Sequence, residues 1–136
     1  MKTTIDDLKF IDIPKIIDHR GNISVIENDV LPYDIKRVYY LYDVPSGAVR
    51  GGHAHKNLYQ CLIALSGSFD VLLNDGVNEI RITLNKPNKG LLIPNAIWRE
   101  LEDFSSGSVC LVLASDVYKE EDYIRDFHDF KSYKAY

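Results

Sequence analysis

The stretch from residue 47 to residue 67, GAVRGGHAHKNLYQCLIALSG, decides how the whole chain is interpreted. His53 and His55 lie two residues apart in it, and side chains two apart on a strand point to the same face of a sheet. Residues 58–65 follow as an apolar run rich in strand-forming residue types, which Gly67 ends. With Arg50 close by, this pattern predicts a β-protein that carries a reaction centre on one strand face.

The rest of the chain alternates short β-type segments with turn residues. Nine further segments predict strands, and they span residues 9–13, 15–18, 23–27, 35–44, 68–73, 78–84, 91–94, 97–101 and 108–114. Residues 1–8 are polar and are expected to form an arm, and one helical turn is expected near residues 120–123. About ten short strands with almost no helix predict an all-β sandwich or barrel, most economically a jelly roll.

Composition limits the range of functions. With 136 residues the chain is expected to form a single domain, residues 1–136, and its net charge of −4 argues against a nucleic-acid-binding surface. A local group of arginines can still bind an anionic ligand. Cys61 and Cys110 lie in apolar runs, as free thiols of a reducing compartment would, although a bridge between them stays open. The N-terminus lacks the apolar core of a signal peptide and no apolar run is long enough for a membrane, so a cytoplasmic protein is expected.

The spacing of Gly47, His53, His55, Gln60 and Gly67 resembles the first motif of the cupins, which are jelly-roll proteins. Metal-binding cupins carry Glu at the position of Gln60. Their second motif supplies another His ligand, and in the matching stretch here, PNAIWR, that position holds Arg99. A guanidinium is never a metal ligand and repels a cation. The resemblance therefore implies the cupin fold, while no metal and no other cofactor is expected.

A closer resemblance covers nearly the whole chain. It rests on the segments DHRG, IKRVYY, RGGHAHK, GLLIPNAIWRE, DFSSGSVCLVLAS and DYIRDF, which occur in this order. These segments are similar to the cupin-superfamily sugar-nucleotide 3,4-ketoisomerases. The resemblance implies a homodimeric, metal-independent enzyme that moves the carbonyl of dTDP-4-keto-6-deoxyglucose from C4 to C3. It also implies a place in the biosynthesis of 3-amino- or 3-acetamido-3,6-dideoxyhexoses for bacterial surface glycans such as O-antigen or S-layer glycan.

Such a reaction passes through an enediol, so it needs a base that titrates near neutral pH and donors for the developing oxyanion. The resemblance implies that His53 is the base, that His55 is a second proton carrier or orients the sugar, and that Tyr39 donates a proton or a hydrogen bond. Arg37 is expected to be structural. The residues expected to bind the nucleotide sugar are Arg20, Arg50, Arg99, Gly52, Gln60 and Trp98.

Three other functions compete with this interpretation. A 3,5-epimerase of the same nucleotide sugar would pair its His base with an Asp, and the sequence shows no convincing partner. A non-catalytic nucleotide-sugar-binding cupin would need the arginines but not both histidines and Tyr39. A metal-dependent cupin is disfavoured by Gln60 and Arg99.

Two finer expectations concern the product and the dimer. The pair Trp98-Arg99 resembles the branch that forms the gluco product more than the galacto-producing branch. Exposed edges of the N-terminal strands favour strand exchange in the dimer.

Overall fold

The computed structural model describes residues 3–135 of the chain, which contain twelve strands, one α-helix and two 3-10 turns. The helix, α1, spans Phe127–Lys134, and the 3-10 turns span Ile5–Asp7 and Glu120–Asp122. The strands are β1 (Lys9–Asp12), β2 (Lys15–Ile16), β3 (Ile23–Ser24), β4 (Arg37–Leu41), β5 (Arg50–His55), β6 (Gln60–Ser66), β7 (Phe69–Asn74), β8 (Glu79–Leu84), β9 (Lys89–Ile93), β10 (Trp98–Glu102), β11 (Val109–Ala114) and β12 (Tyr123–Ile124).

The strands form two antiparallel five-stranded sheets and a small β2–β3 sheet. The strand order is β1-β9-β6-β11-β4 in the first sheet and β12-β5-β10-β7-β8 in the second. The main core lies between the two sheets, and alternate residues of each strand enter it, such as Leu62 and Ala64 of β6. The predicted all-β jelly-roll fold is confirmed.

Each large sheet also has an apolar cluster on its outer face. On the first sheet, Cys61 and Ile63 of β6 point outward and pack beneath Ile13 and Leu31. Cys61 and Cys110 are free, buried thiols. On the second sheet, Ala54, Trp98 and Ile124 pack with Phe130 of α1. The second cluster fixes the C-terminal segment against the strands that carry the histidines.

The sequence did not predict helix α1. Asp126 caps its first turn by accepting a hydrogen bond from the backbone N–H of Asp129 at 2.9 Å. An eight-residue helix is too short to be stable by itself in water, so it depends on packing. Phe130 is completely buried, and its ring centroid lies 5.8 Å from that of Trp98. This contact joins α1 to the sheet, and local propensity does not reveal it.

The expectation of a polar N-terminal arm is wrong for residues 3–8. Thr4 caps the first 3-10 turn, and the backbone N–H of Ile5 donates to Asp75 at 2.9 Å. The Thr3 hydroxyl donates to the carbonyl oxygen of Asn95 at 2.8 Å, and the Lys134 ammonium donates to the carbonyl oxygen of Thr3 at 2.6 Å. The first two residues of the predicted arm lie outside the described residues. Within residues 3–135 no helix has the length and apolarity that a membrane crossing requires.

Candidate active site

A cavity of about 340 Å³ opens between the two sheets at the end where β5 carries its histidines. Strands from both sheets line it, because alternate residues of each strand point into the space between the sheets. The lining side chains that can bind or react are Arg37, Tyr39, Arg50, His53, Gln60, Arg99, Tyr123 and Arg125. The cavity therefore combines four guanidinium groups with an imidazole and two phenols.

His53 reaches the cavity from β5, directly opposite Arg99 of β10 in the antiparallel register. The two strands approach closely at Gly51, which has φ of +86° and where a Cβ would lie 3.0 Å from the carbonyl oxygen of Arg99. Glycine is therefore needed at this position. Burial, followed by the positive charges of Arg99 and Arg125, lowers the pKa of His53 to about 3. The imidazole is accordingly neutral at physiological pH and can accept a proton.

His55 lies behind His53 and is not among the residues that line the cavity. It is 1% exposed, and its ring centroid lies 4.9 Å from that of His53 and 4.3 Å from that of Tyr123. Its Nδ1 lies 3.0 Å from Oδ2 of Asp122, and the other carboxylate oxygen of Asp122 accepts the backbone N–H of Asn57 at 2.8 Å. Burial, followed by the charges of Arg99 and His53, lowers the pKa of His55, so its imidazole is neutral at physiological pH.

The Asp122 contact determines the tautomer of His55. A carboxylate can only accept, so Nδ1 carries the proton and Nε2 is left with its lone pair. This Nε2 is buried and has no hydrogen-bond partner among residues 3–135. The sequence did not reveal a partner Asp for a histidine, because residues 55 and 122 are distant in the chain and meet only where β12 pairs with β5.

A buried chain of polar groups forms the inner wall of the cavity. Arg99 donates to Gln60 Oε1 at 2.7 Å, and Gln60 Nε2 donates to the Tyr39 hydroxyl at 3.1 Å. Arg99 also donates twice to the carbonyl oxygen of Ile97, at 3.2 and 3.1 Å. Burial lowers the pKa of Arg99 to about 10, so it stays charged at neutral pH, and burial raises the pKa of Tyr39. Arg99 therefore remains a hydrogen-bond donor, and the phenol of Tyr39 keeps its hydrogen.

The C-terminal segment supplies a wall that the sequence did not predict. Tyr123 and Arg125 are two residues apart and both line the cavity. The Arg125 guanidinium lies 4.1 Å from the Tyr123 ring centroid and donates two hydrogen bonds of 2.8 Å to Glu120. Both belong to the segment DYIRDF, and their spacing of two, which on a strand puts side chains on one face, is the signal that could have found them. Arg37, expected to be structural, also lines the cavity and stacks 4.4 Å above the Tyr39 ring centroid.

The structure brings His53, Tyr39, Arg50, Gln60 and Arg99 together around the cavity, as the sequence predicts. The other four predicted site residues do not line it. One is His55, which lies behind His53, and the remaining three are Arg20, Gly52 and Trp98.

Each of these three residues has a structural reason to lie elsewhere. The Arg20 side chain is 80% exposed on the turn between β2 and β3, where it donates two hydrogen bonds of 3.0 Å to Asp18. Trp98 lies on the other face of β10, because its neighbour Arg99 points inward. The Trp98 indole donates to Glu100 at 2.9 Å. The backbone at Gly51, rather than at Gly52, borders the cavity.

Comparison with known proteins identifies the family. The profile of the family described as "FdtA: WxcM-like, C-terminal" matches residues 6–135. The chain belongs to this family. It is 50% identical over 128 residues to a TDP-4-oxo-6-deoxy-alpha-D-glucose-3,4-oxoisomerase of Aneurinibacillus thermoaerophilus, covering 93% of this chain and 92% of the relative.

Solved structures agree with this assignment. A histidine-to-asparagine variant of the 3,4-ketoisomerase QdtA from Thermoanaerobacterium thermosaccharolyticum, in complex with TDP-4-keto-6-deoxyglucose, matches with a TM-score of 0.92, 41% identity and 94% coverage of both chains. The TDP-quinovose 3,4-ketoisomerase WlaRB of Campylobacter jejuni matches with a TM-score of 0.89 and 46% identity, over 94% of this chain and 99% of the other. The expectation of an isomerase of this class is confirmed.

The epimerase alternative needs a different argument from the one the sequence offered. Two sequence features disfavour it, the missing partner Asp and the segment matches to ketoisomerases, and Asp122 beside His55 removes the first of them. The dTDP-4-dehydrorhamnose 3,5-epimerase of Bacillus anthracis shares only 16% identity at a TM-score of 0.77, which shows a common fold and no more. The much higher identity to ketoisomerases is what separates the two functions.

Proposed function

We propose that this protein converts dTDP-4-keto-6-deoxyglucose to the corresponding 3-keto-6-deoxyhexose. The observation that carries the proposal is the position of His53, a neutral imidazole that shares one cavity with the Tyr39 hydroxyl and four guanidinium groups. The 50% identity to an oxoisomerase of this nucleotide sugar supports the same substrate.

The arginines divide the cavity into two regions. Arg37, Arg50 and Arg125 keep some exposure to solvent, whereas Arg99 is 2% exposed. We assign the three outer guanidinium groups to the anionic diphosphate, which they can bind through paired hydrogen bonds although the whole chain carries a net charge of −4. Arg99 lies beside the catalytic groups and is assigned to the oxyanion that develops on the sugar.

The chemistry needs one proton to leave C3 and one to arrive at C4. In the proposed mechanism His53 removes the C3 proton while the C4 oxygen becomes an enediolate oxygen that faces Tyr39 and Arg99. His53, whose proton exchanges with solvent, returns a proton to C4, and the C4 oxygen gains a proton as the C3 hydroxyl loses one. The carbonyl is then at C3, with a hydroxyl group at C4. His55 acts behind His53, held by Asp122, because its ring does not reach the cavity.

Substrate binding adjusts the base in this proposal. Burial, followed by the charges of Arg99 and Arg125, holds the pKa of His53 at about 3, where the imidazole is a weak base. An anionic diphosphate or enediolate offsets these positive charges and so raises the pKa of His53 when substrate is bound. The imidazole thus becomes a stronger base at the moment when a C3 proton is available.

The chemistry of the cavity does not fit a divalent metal. Where the cupin resemblance places the third and fourth ligands, the structure has the amide of Gln60 and the guanidinium of Arg99, which bond to each other at 2.7 Å. A cation at this position would meet a fixed positive charge. A metal-independent reaction without a cofactor remains part of the proposal.

We also propose that the product has the gluco configuration. The quinovose ketoisomerase of C. jejuni, whose sugar has the gluco configuration, is 46% identical to this chain, whereas its TDP-fucose ketoisomerase is 34% identical. A 3-keto group next requires a 3-aminotransferase, which leads to a 3-amino-3,6-dideoxyhexose of the kind used in bacterial surface glycans.

A homodimer completes the proposal. The β2–β3 sheet exposes a group of isoleucines, and Ile17 beside it is 79% exposed. Such a patch is unusual on a monomer, so the N-terminal strands are the proposed interface. Sedimentation equilibrium is expected to give a dimer that Ile17→Lys weakens, and a monomeric wild-type protein would contradict this part.

The decisive experiment is proton NMR of the enzyme with dTDP-4-keto-6-deoxyglucose in heavy water containing EDTA, with His53→Asn as the matched control. The expected result is a 3-keto isomer with deuterium at C4, which His53→Asn does not form. Trapping by 3-amination then reports the C4 configuration. Deuterium at C3 and C5 with the carbonyl still at C4 would establish an epimerase instead. Binding without any exchange would indicate a non-catalytic cupin.

A further inference from the structure

The hydrogen-bond polarity of the Arg99–Gln60–Tyr39 chain has a consequence for the proton of Tyr39. A guanidinium has only donor hydrogens, so the group that faces Arg99 at 2.7 Å must be the amide oxygen of Gln60. The amide nitrogen of Gln60 then faces the Tyr39 hydroxyl at 3.1 Å and must donate to it. The orientation of this amide therefore follows from chemistry.

The Tyr39 hydroxyl consequently uses a lone pair to accept the bond from Gln60. Its own hydrogen has no acceptor among residues 3–135, and the side chain lines the cavity. The hydrogen is thus available for a group that enters the cavity. Gln60 is 2% exposed, so its amide has little contact with solvent. Arg99 and Tyr39 therefore hold it in this one orientation.

We propose that Gln60 is a positioning residue that directs the hydroxyl hydrogen of Tyr39 into the cavity, toward the oxygen on which negative charge develops. Arg99 holds Gln60, Gln60 holds the oxygen of Tyr39, and each donor orients the next. The role of Gln60 in the reaction rests on the proposed function, because it concerns the oxyanion of that reaction. The hydrogen-bond polarity itself does not depend on which substrate is used.

This role also accounts for an amide at the position where metal-binding cupins have a carboxylate. A carboxylate has no donor hydrogen, so it would accept from both neighbours. The Tyr39 hydroxyl would then turn its hydrogen toward the carboxylate and away from the cavity. An amide satisfies Arg99 and Tyr39 at the same time while it leaves the phenolic hydrogen available.

The test compares Gln60→Glu with Gln60→Met, both with the folded state checked by thermal unfolding. Gln60→Glu keeps both contacts but reverses the Tyr39 bond, whereas Gln60→Met removes both contacts and leaves the hydrogen unconstrained. We expect Gln60→Glu to lower kcat about 100-fold with KM changed less than about threefold, and Gln60→Met to lower kcat about tenfold. A merely structural role predicts the opposite order, since the methionine loses more contacts, and that order would overturn the proposal.

A double variant provides a second criterion. Because both changes remove the same hydrogen from the cavity, Gln60→Glu combined with Tyr39→Phe is expected to be no slower than Tyr39→Phe alone, within about twofold. Multiplicative losses would show that Gln60 acts independently of Tyr39 and would refute the proposal.

A measurement without turnover separates this proposal from the proposed function. With 13Cζ-labelled tyrosine, the Tyr39 resonance is identified by its loss in Tyr39→Phe. In Gln60→Glu the chemical shift of this resonance is expected to move toward that of a phenolate, because the hydroxyl then donates to a carboxylate. If the wild-type enzyme does not isomerise the substrate, the proposed function fails, and this spectrum still decides the polarity. An unchanged Tyr39 resonance would overturn it.

Discussion

Replacing Asp122 by Asn tests how the buried His55 is held. Asp122 has two acceptor oxygens, one 3.0 Å from His55 Nδ1 and one 2.8 Å from the backbone nitrogen of Asn57. Asparagine has one acceptor and one donor group. The backbone N–H of Asn57 cannot change its polarity, so the asparagine oxygen stays on Asn57 and its NH₂ group faces Nδ1. His55 must then adopt the tautomer that carries hydrogen on Nε2.

The size of the effect follows from the loss of the carboxylate. Nε2 is buried and has no partner in the described part of the chain in either tautomer, so its own contribution changes little. A hydrogen bond to a charged group contributes about 1.5–3 kcal/mol and a neutral one about 0.5–1.5 kcal/mol, so we expect Asp122→Asn to lower the free energy of unfolding by about 1 kcal/mol. A wrong tautomer in a hydrolase triad lowers kcat by about 10⁴-fold, and we expect a smaller loss here, about 10- to 100-fold, since His55 acts through His53.

Three readouts examine this reasoning. Long-range 1H–15N NMR of the imidazoles is expected to show the Nδ1–H tautomer of His55 in the wild type and the Nε2–H tautomer in Asp122→Asn. The Kd for TDP is expected to stay within about twofold, because Asp122 does not line the cavity. Asp116→Asn is the matched control, since Asp116 likewise accepts from one side chain, the exposed Lys119, and from one backbone N–H, that of Val117, and it should change neither kcat nor tautomer. An unchanged tautomer with kcat within twofold of the wild type would refute the reasoning.

Three further predictions concern the base, acid stability and the C-terminal packing. His53→Asn is expected to abolish turnover while the Kd for TDP, measured by calorimetry, changes less than about tenfold, and normal turnover by the folded variant would remove His53 from the mechanism. Because burial and Arg99 hold the pKa of His53 at about 3, the unfolded chain binds a proton near pH 6.5 that the folded chain does not. Stability is therefore expected to fall as pH drops from about 6.5 to about 3, with up to about 1.4 kcal/mol per pH unit from this residue. Urea titrations at several pH values should show that the free energy of unfolding depends less steeply on pH in His53→Asn than in the wild type. An equal pH dependence of the two proteins would contradict the lowered pKa of His53. Phe130→Ala leaves a cavity beneath Trp98 and is expected to destabilise the fold by about 3–5 kcal/mol in denaturant titrations. It is also expected to weaken TDP binding, because α1 supports the wall formed by Tyr123 and Arg125. Unchanged stability would show that the fold does not need α1.

The sequence by itself determined the fold class and the inner part of the site. Successive side chains of a strand point to opposite faces, and this alternation places His53, Tyr39, Gln60 and Arg99 on inward strand faces. Only local geometry is needed for that. The family was also readable from the chain, because six ordered segments carry the resemblance. The same alternation puts Trp98 on the face opposite to Arg99, away from the cavity, and local pattern does not show that Phe130 of α1 covers Trp98 there.

The tertiary structure alone decided the rest of the site. Asp122, Tyr123 and Arg125 come from a C-terminal segment whose pairing with β5 joins positions almost seventy residues apart, and no local signal encodes such a contact. The direction of the Tyr39 hydrogen likewise exists only where Arg99, Gln60 and Tyr39 meet, on three different strands. Hydrogen-bond polarity is a property of assembled donors and acceptors, so the sequence supplied these groups and only their packing determined what each one does.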